Sequence, residues 1–160
     1  MHFMAKETVD ELNKFMLPYP GKVKAAALWL REFVWDLYPE SNELIYVDVL
    51  SVAVGFSPTD RAGDKFCSIA VHGNHVNFGF NKGSAIADPD KILLGTGLYR
   101  FTRVTDIRDF PAKYIKGLLA DAHLNSVRNL KQIRQLTGQT IVKSVSPAAK
   151  ARLVTGYQHL

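Results

Sequence analysis

The chain has 160 residues, 47% of them hydrophobic and 11% aromatic, so it is long enough to bury the core of one domain. A single cysteine excludes an intramolecular disulfide framework, and no run approaches the roughly 18 apolar residues of a membrane span. Because the N-terminus also lacks a signal-peptide core, we expect a soluble, cytoplasmic protein without a membrane partner.

The net charge of +5 is unevenly distributed. From Ala122 to the end the chain carries six basic residues and no acidic one, whereas the other 121 residues carry 14 basic and 15 acidic groups. The six are Arg128, Lys131, Arg134, Lys143, Lys150 and Arg152. Such a segment can hold nucleic acid by non-specific electrostatics, but the charges are sparse. We expect a solvated basic extension over residues 127–160, with a nucleic-acid accessory role as an alternative.

The first predicted helix begins at a capping box formed by Thr8 and Glu11 and continues to about Met16. Glu7 and Asp10 join Glu11 near its start, where the helix dipole favours carboxylates. These three residues either simply begin the helix, which is the favoured interpretation, or form an acidic ridge that binds a metal ion.

A second helix is predicted between two prolines. Pro20 suits the first turn of a helix, and Pro39 stops it after Tyr38. Apolar residues recur between them at helical spacing, which indicates a buried stripe: Val23, Ala27, Leu30, Val34 and Leu37. Trp29, Phe33 and Trp35 widen this stripe.

The run from Glu43 to Phe56 is rich in β-forming residues and contains either one bent strand or two strands joined near residues 48–50. Asp48 is an acid/base candidate if it lies inside an apolar strand, because burial would raise its pKa; at a turn it would be an ordinary surface carboxylate.

A hairpin follows, with Gly73-Asn74 at its turn and His72 opposite His75. Alternation then places bulky residues on one face: Cys67, Ile69, Val71, Val76, Phe78 and Phe80. The other face collects slim residues from the whole sheet: Ser51, Ala53, Gly55, Ser68, Ala70, Asn77 and Gly79. We expect this low-profile face to form a homodimer interface, through Ser51, Ala53, Ser68 and Ala70, or to line a groove for an unknown small ligand.

The loop from Asn81 to Gly97 contains three turn signals: Lys82-Gly83, a helical turn from Asp88 to Leu93, and Gly95-Thr96-Gly97. The last could expose backbone N–H groups to an anion, although it is neither a Walker A loop nor a dinucleotide fingerprint. A purely structural turn is the alternative. The candidate ligand-binding residues are Asn77, Lys82, Asp88, Gly95, Thr96, Gly97, Arg100 and Arg103.

The last major helix is predicted to begin with Asp109 as its cap and Pro111 in its first turn. Its buried stripe is Tyr114, Ile115, Leu118, Leu119, Ala122 and Ser126. A longer helix, with the same pattern continued through Leu130, Ile133 and Leu136 to the helix-breaking Gly138, is the alternative. From Gln139 on we expect little fixed structure. The element order predicts an α+β domain over residues 1–126, an antiparallel sheet of about five to six strands covered on one face by N- and C-terminal helices.

Catalytic or metal-binding motifs do not stand out in the sequence. Alternation separates Cys67 from His72 and His75, and two histidines are too few for a zinc site without further ligands. His123 has no obvious partner in the sequence, and there is no nucleophile-elbow pattern. We therefore predict a non-enzymatic binding or interaction domain, without a resident metal or cofactor.

Five segments together resemble the YdhG-like family of bacterial domains of unknown function: E-L-I-Y (43–46), G-F-S-P-T (55–59), H-V-N-F-G-F (75–80), A-D-P-D (87–90) and G-T-G followed by R-F-T-R (100–103). The resemblance covers residues 8–126 and implies a frataxin-like arrangement of helices on a sheet. One branch of the family is linked to iron delivery, which makes an iron chaperone using Glu7, Asp10 and Glu11 an alternative function. Arg100-Phe101 stands where similar sequences often have Arg-His.

Overall fold

A computed structural model of the chain describes residues 12–128, 130 and 138–151. Residues 12–16 are helical, and the first long helix is α1 (Gly21–Leu37). Five strands follow: β1 (Asn42–Val47), β2 (Val52–Ser57), β3 (Cys67–Val71), β4 (Val76–Phe80) and β5 (Arg100–Val104). The second long helix is α2 (Ala112–Arg128), followed by β6 (Thr140–Val145) and a helical turn over residues 147–151. The predicted α+β class is confirmed.

The six strands form one mixed sheet in the order β5-β4-β3-β2-β1-β6. Neighbours are antiparallel except for β6, which runs parallel to β1, so the prediction of a purely antiparallel sheet is wrong at this edge. The expectation of little fixed structure from Gln139 on is also wrong. The Gln139 carbonyl accepts a 2.7 Å hydrogen bond from the Glu43 amide, and Asn42 Oδ1 accepts one of 3.1 Å from the Gln139 amide. Part of the predicted extension thus belongs to the sheet.

The run from Glu43 to Phe56 forms two strands rather than one bent strand. The Asp48 amide donates a 2.8 Å hydrogen bond to the Ser51 carbonyl, which closes the turn between β1 and β2. The Asp48 side chain is exposed and accepts a hydrogen bond from the Val49 amide at 2.7 Å. Asp48 is therefore a turn residue, and the structure gives no support for its buried acid/base role.

The hairpin register agrees with the prediction. The His72 amide donates to the His75 carbonyl at 2.9 Å, and Val71 pairs with Val76. The bulky residues of β3 and β4 are all buried in the core beneath the helices. Phe78 lies near the centre, with its ring 6.5 Å from Phe33 and 5.6 Å from Phe110.

Helix α1 matches its predicted bounds closely, because Pro20 sits at its N-cap and the helix ends before Pro39. Within its buried stripe lies a charged residue that the periodicity did not single out. Arg31 is 1% exposed and forms a salt bridge with Glu43, which is fully buried, and Nη2 of Arg31 is 2.9 Å from Oε1 of Glu43. Thr140 Oγ1 donates to the same Oε1 at 2.7 Å. This pair joins α1, β1 and β6.

Helix α2 buries the predicted stripe, Ile115, Leu118, Leu119, Ala122 and Ser126, with Tyr114 half-buried. Asp109 does not cap it; the residue ends a short 3-10 helix (Ile107–Asp109), in which Asp106 accepts from the Arg108 amide. The helix ends at Arg128, and Ile133 and Leu136 lie outside the described residues. Within the described part of the chain, none of the helices is both long and apolar enough to cross a membrane.

Candidate functional site

The face of the sheet opposite the long helices carries the predicted slim residues in two cross-strand rows. One row runs Tyr46, Ala53, Ala70, Asn77 and Arg103, and the other runs Leu44, Gly55, Ser68, Gly79 and Phe101. Cross-strand partners in an antiparallel sheet share a face, so the alternation argument is confirmed. We call this surface the second face.

Two side chains of the chain itself lie over the second face, so it is not the bare surface that was expected. A Cβ built on Gly55 would lie 2.3 Å from the Lys65 stem, and one built on Gly79 would lie 2.5 Å from the Tyr99 ring. The Tyr99 ring also stacks beside Phe101, with 5.5 Å between centroids. The glycines thus make room for Lys65 and Tyr99.

Substituting alanine at these two glycines should have different effects. Gly79→Ala forces the rigid Tyr99 ring away and should cost about 1–3 kcal/mol of unfolding free energy, as overpacking does. Gly55→Ala meets only the flexible stem of Lys65, so we expect a change below about 0.5 kcal/mol. Urea denaturation of both variants measures the two changes in unfolding free energy. Equal losses would contradict the contacts of Gly55 with the Lys65 stem and of Gly79 with the Tyr99 ring.

A hollow of about 520 Å³ opens on the second face where β1, β2 and β6 meet. Its lining is Tyr46, Val47, Asp48, Ser51, Ala53, Ser144, Val145, Ser146 and Pro147. Ser51 and Ala53 were predicted as interface residues, whereas the β6 residues were missed because that segment was not expected to join the sheet. The hollow therefore combines small floor residues with hydroxyl groups.

Tyr46 lines this hollow and Lys65 lies over its ring, and neither has a full set of polar partners among the described residues. The Tyr46 hydroxyl is buried and has no hydrogen-bond partner among the described residues. Lys65 Nζ lies 4.8 Å from the centre of the Tyr46 ring, and within the described part of the chain no carboxylate pairs with it. Burial lowers the pKa of Lys65 and raises that of Tyr46.

Among the predicted ligand residues of the 82–103 loop, Asp88 holds the loop together. Its carboxylate, 2% exposed, accepts hydrogen bonds from the Leu93 amide at 2.9 Å and the Ile92 amide at 3.1 Å. Arg100 Nη2 donates to Asp88 Oδ2 at 3.2 Å, and the Tyr114 hydroxyl donates to Asp88 Oδ1. Four donors occupy both oxygens, which gives Asp88 a structural role.

These contacts also decide the charge state of Asp88. Burial alone would raise the pKa of this carboxyl group. The hydrogen bonds from Tyr114, Leu93 and Ile92 and the charge of Arg100 outweigh burial and hold the pKa below its ordinary value. Asp88 is thus ionised across the physiological range.

The remaining predicted ligand residues lie partly on the loop and partly on the second face. Gly95 and Gly97 have φ of 84° and 83°, so they supply the left-handed backbone of an exposed turn with Thr96. Lys82 is exposed at the start of the loop. Asn77 and Arg103 are cross-strand partners on the second face, where Asn77 Oδ1 is buried and has no partner among the described residues.

The candidate metal residues are likewise separated. Cys67 is buried in the core, and burial raises the pKa of its thiol well above the usual value. His72 and His75 stack at 4.9 Å on the hairpin turn, and His123 stacks on Tyr38 at 4.2 Å. The residues that the structure describes contain no group of three or more His, Cys, Asp or Glu side chains placed to hold a metal ion. Glu7, Asp10 and Glu11 lie outside these residues.

The basic segment is only partly described. Lys143 lies on β6 and donates to the Asp60 carbonyl at 2.9 Å, so it holds the strand edge. Arg128 is exposed at the end of α2, and Lys150 is exposed in the last helical turn. Lys131, Arg134 and Arg152 lie outside the described residues.

A second concave surface, which the sequence did not indicate, lies between the 87–90 loop and α2. This groove of about 820 Å³ is lined by Ala87, Pro89, Pro111, Ala112, Lys113, Tyr114, Gly117, Leu118 and Asp121. Its wall is fixed because Tyr114 bonds Asp88 and accepts a 3.1 Å hydrogen bond from the Asp90 amide. The only sequence signal was the exposed Gly117 inside a helix, where glycine is unfavourable.

In comparisons with known proteins, no protein-family model, no curated protein and no solved structure matches this chain.

Proposed function

We propose that this chain is a non-enzymatic binding domain that holds a small molecule with an anionic oxygen group, such as a carboxylate or phosphate, in the hollow between β1, β2 and β6. The observation that carries the proposal is the buried Tyr46 hydroxyl, which has no partner among the described residues, on a ring that lies beside the Lys65 ammonium. Buried polar groups in native proteins are nearly always hydrogen-bonded, so this hydroxyl is a donor that a bound group would satisfy.

An anionic oxygen satisfies both groups at once. The Tyr46 hydroxyl can donate a hydrogen bond, and the Lys65 ammonium supplies the counter-charge, so the two form a charge-assisted pair of donors. The Lys65 stem that covers Gly55 is flexible and can move aside as the ligand enters. Asp48 lies at the turn end of the hollow, where its carboxylate favours a ligand that carries hydrogen-bond donors at its other end.

Replacing Tyr46 by Phe should stabilise the unliganded protein by about 1 kcal/mol, because the change removes a buried hydroxyl that has no partner. Tyr114→Phe is the matched control: its hydroxyl bonds Asp88, so this variant should lose about 1–3 kcal/mol. Chemical denaturation measures both. A loss of stability in Tyr46→Phe would show that the hydroxyl has a partner, and the proposal would fail.

Binding itself is tested by native mass spectrometry of protein purified from its own host, together with thermal shifts in inorganic phosphate and in acetate. We expect a retained small molecule in the wild type, absent from Tyr46→Phe, and a concentration-dependent rise in melting temperature with one of the two anions. The two anions distinguish a phosphate ligand from a carboxylate ligand. The absence of both a retained molecule and a thermal shift would contradict the proposal.

We also propose the kinship with the YdhG-like family. Its support is the quoted segments and the order of helix, five antiparallel strands and helix from residues 12 to 128. The iron-chaperone alternative depends on residues outside the described ones, and iron titration by calorimetry tests it. For the nucleic-acid alternative, binding to DNA should fall steeply with salt and vanish on deletion after Asn125.

A further inference from the structure

The exposed side of α2 carries apolar residues among its charged ones, where a helix covering a sheet is usually polar. Leu124 is 54% exposed and Val127 is 41% exposed, and they follow Gly117 and the exposed Ala120 along the same side of the helix. At Gly117 an added Cβ would have nothing within 4 Å. This side continues into the groove beside the 87–90 loop, so α2 carries an apolar surface, flanked by charged side chains, that no other described residues cover.

Two of the charges on this side of the helix, Lys113 and Asp121, lie at equal distances from Gly117. Lys113 lies four residues before it and Asp121 four residues after it, and both are exposed and line the groove. Residues four apart lie on the same side of a helix, about 6 Å apart along its axis. When two copies of such a helix cross antiparallel about a two-fold axis at Gly117, each Lys113 lies level with the Asp121 of the other copy, and two ion pairs form.

We infer that a second copy of this chain binds here, with α2 packed antiparallel against α2 of its partner and Gly117 at the two-fold axis. Gly117 lets the two helix backbones approach closely. Leu124 lies seven residues, or about 10.5 Å, from the axis, which brings it level with the Pro111 end of the groove in the partner. The apolar side chain thus meets an apolar groove. This surface is separate from the hollow on the second face, so the inference does not depend on the proposed ligand.

The apolar part of the contact is tested by light scattering and sedimentation equilibrium over a range of concentrations. We expect the wild type to dimerise and Leu124→Asp to be monomeric at the same concentrations. Leu98→Asp, which changes a leucine that is 70% exposed on the 95–98 turn, is the matched control and should remain dimeric. A monomeric wild type, or a dimeric Leu124→Asp, would overturn the inference.

The register is tested by charge reversal. Lys113→Asp and Asp121→Lys each place like charges opposite one another twice in the dimer, and each should raise the dimer Kd by about tenfold. The double variant restores both pairs in reversed order, so its Kd should return to near the wild-type value. A double variant weaker than either single one would rule out the two-fold axis at Gly117.

A dimer built through the second face is the competing arrangement. Ala53→Arg puts a large charged side chain on that face and leaves α2 unchanged, so we expect this variant to dimerise normally. Loss of the dimer in Ala53→Arg together with its survival in Leu124→Asp would assign the contact to the second face instead. Thermal melts of all variants check that each is folded.

Discussion

Replacing Glu43 by Gln should destabilise the protein by about 3–5 kcal/mol, because it removes the buried negative charge that forms a salt bridge with the buried Arg31 guanidinium. Glu43 is fully buried, and its carboxylate accepts hydrogen bonds from Arg31 and Thr140. The guanidinium also lies 4.8 Å from the centre of the Trp35 ring, so it is enclosed by α1 and β1 and cannot turn out to solvent. Urea denaturation measures the loss as a lower midpoint.

The double variant Arg31→Met/Glu43→Leu is the control that separates the pair from its parts. Removing both charges together avoids an unpaired buried ion, and such replacements are often neutral or stabilising. We expect the double variant to be at least about 2 kcal/mol more stable than Glu43→Gln. Equal losses in the two variants would show that packing, rather than the unpaired charge, causes the effect.

The prediction missed the C-terminal strand because the position of this strand depends on residues far away in the sequence. Residues 140–145 include Lys143 and two serine or threonine side chains that face partly outwards, so their alternation is weak. Their place in the sheet is set by partners about 97 positions away, namely Asn42 and Glu43, and no local pattern contains that information. By contrast, β2, β3 and β4 were predictable because their period-two alternation sorts bulky and slim residues over three adjacent strands.

The candidate sites show the same limit. Sequence placed Ser51, Ala53 and Asn77 correctly on one face, since alternation decides which face a residue is on. It did not predict that Lys65 and Tyr99 lie over that face, because both come from loops whose path depends on tertiary contacts. Asp88 and Arg100 were grouped as ligand residues from their charges, but the fold brings them together as partners of each other.

The two proposed surfaces lie on opposite sides of the sheet, and they call for different substitutions. The hollow contains the Tyr46 hydroxyl, which has no partner among the described residues, so Tyr46→Phe should change ligand binding and raise the stability of the free protein. The α2 surface contains apolar side chains and mirrored charges, so its variants change association and leave the fold intact. The two proposals are therefore independent. A dimer that binds no ligand would support only the α2 contact, and a monomer that binds a ligand would support only the hollow.

Replacing Asp88 by Asn should destabilise the protein by about 2–4 kcal/mol at neutral pH, since the amide has one acceptor atom where the carboxylate has two. The side-chain NH2 group of Asn is a donor, so it would face a donor that now bonds to the carboxylate, such as the Leu93 amide or Arg100. The 88–94 segment should loosen, and with it the wall of the groove that Tyr114 holds. Asp90→Asn, two residues away on the exposed side of the loop, should change stability by less than about 0.5 kcal/mol.

The pH dependence of this difference follows from the direction of the Asp88 pKa shift. The pKa is lowered in the folded state, so the stabilisation is fully present above the unfolded value of about 3.9 and is lost as the pH falls through the lower folded value. The stability gap between the wild type and Asp88→Asn should stay constant from pH 7 to about pH 5 and then shrink towards pH 2. Other carboxylates titrate in both proteins and largely cancel from the gap. A gap that persists unchanged at pH 2 would mean that the shape of the side chain, and not its charge, holds the loop.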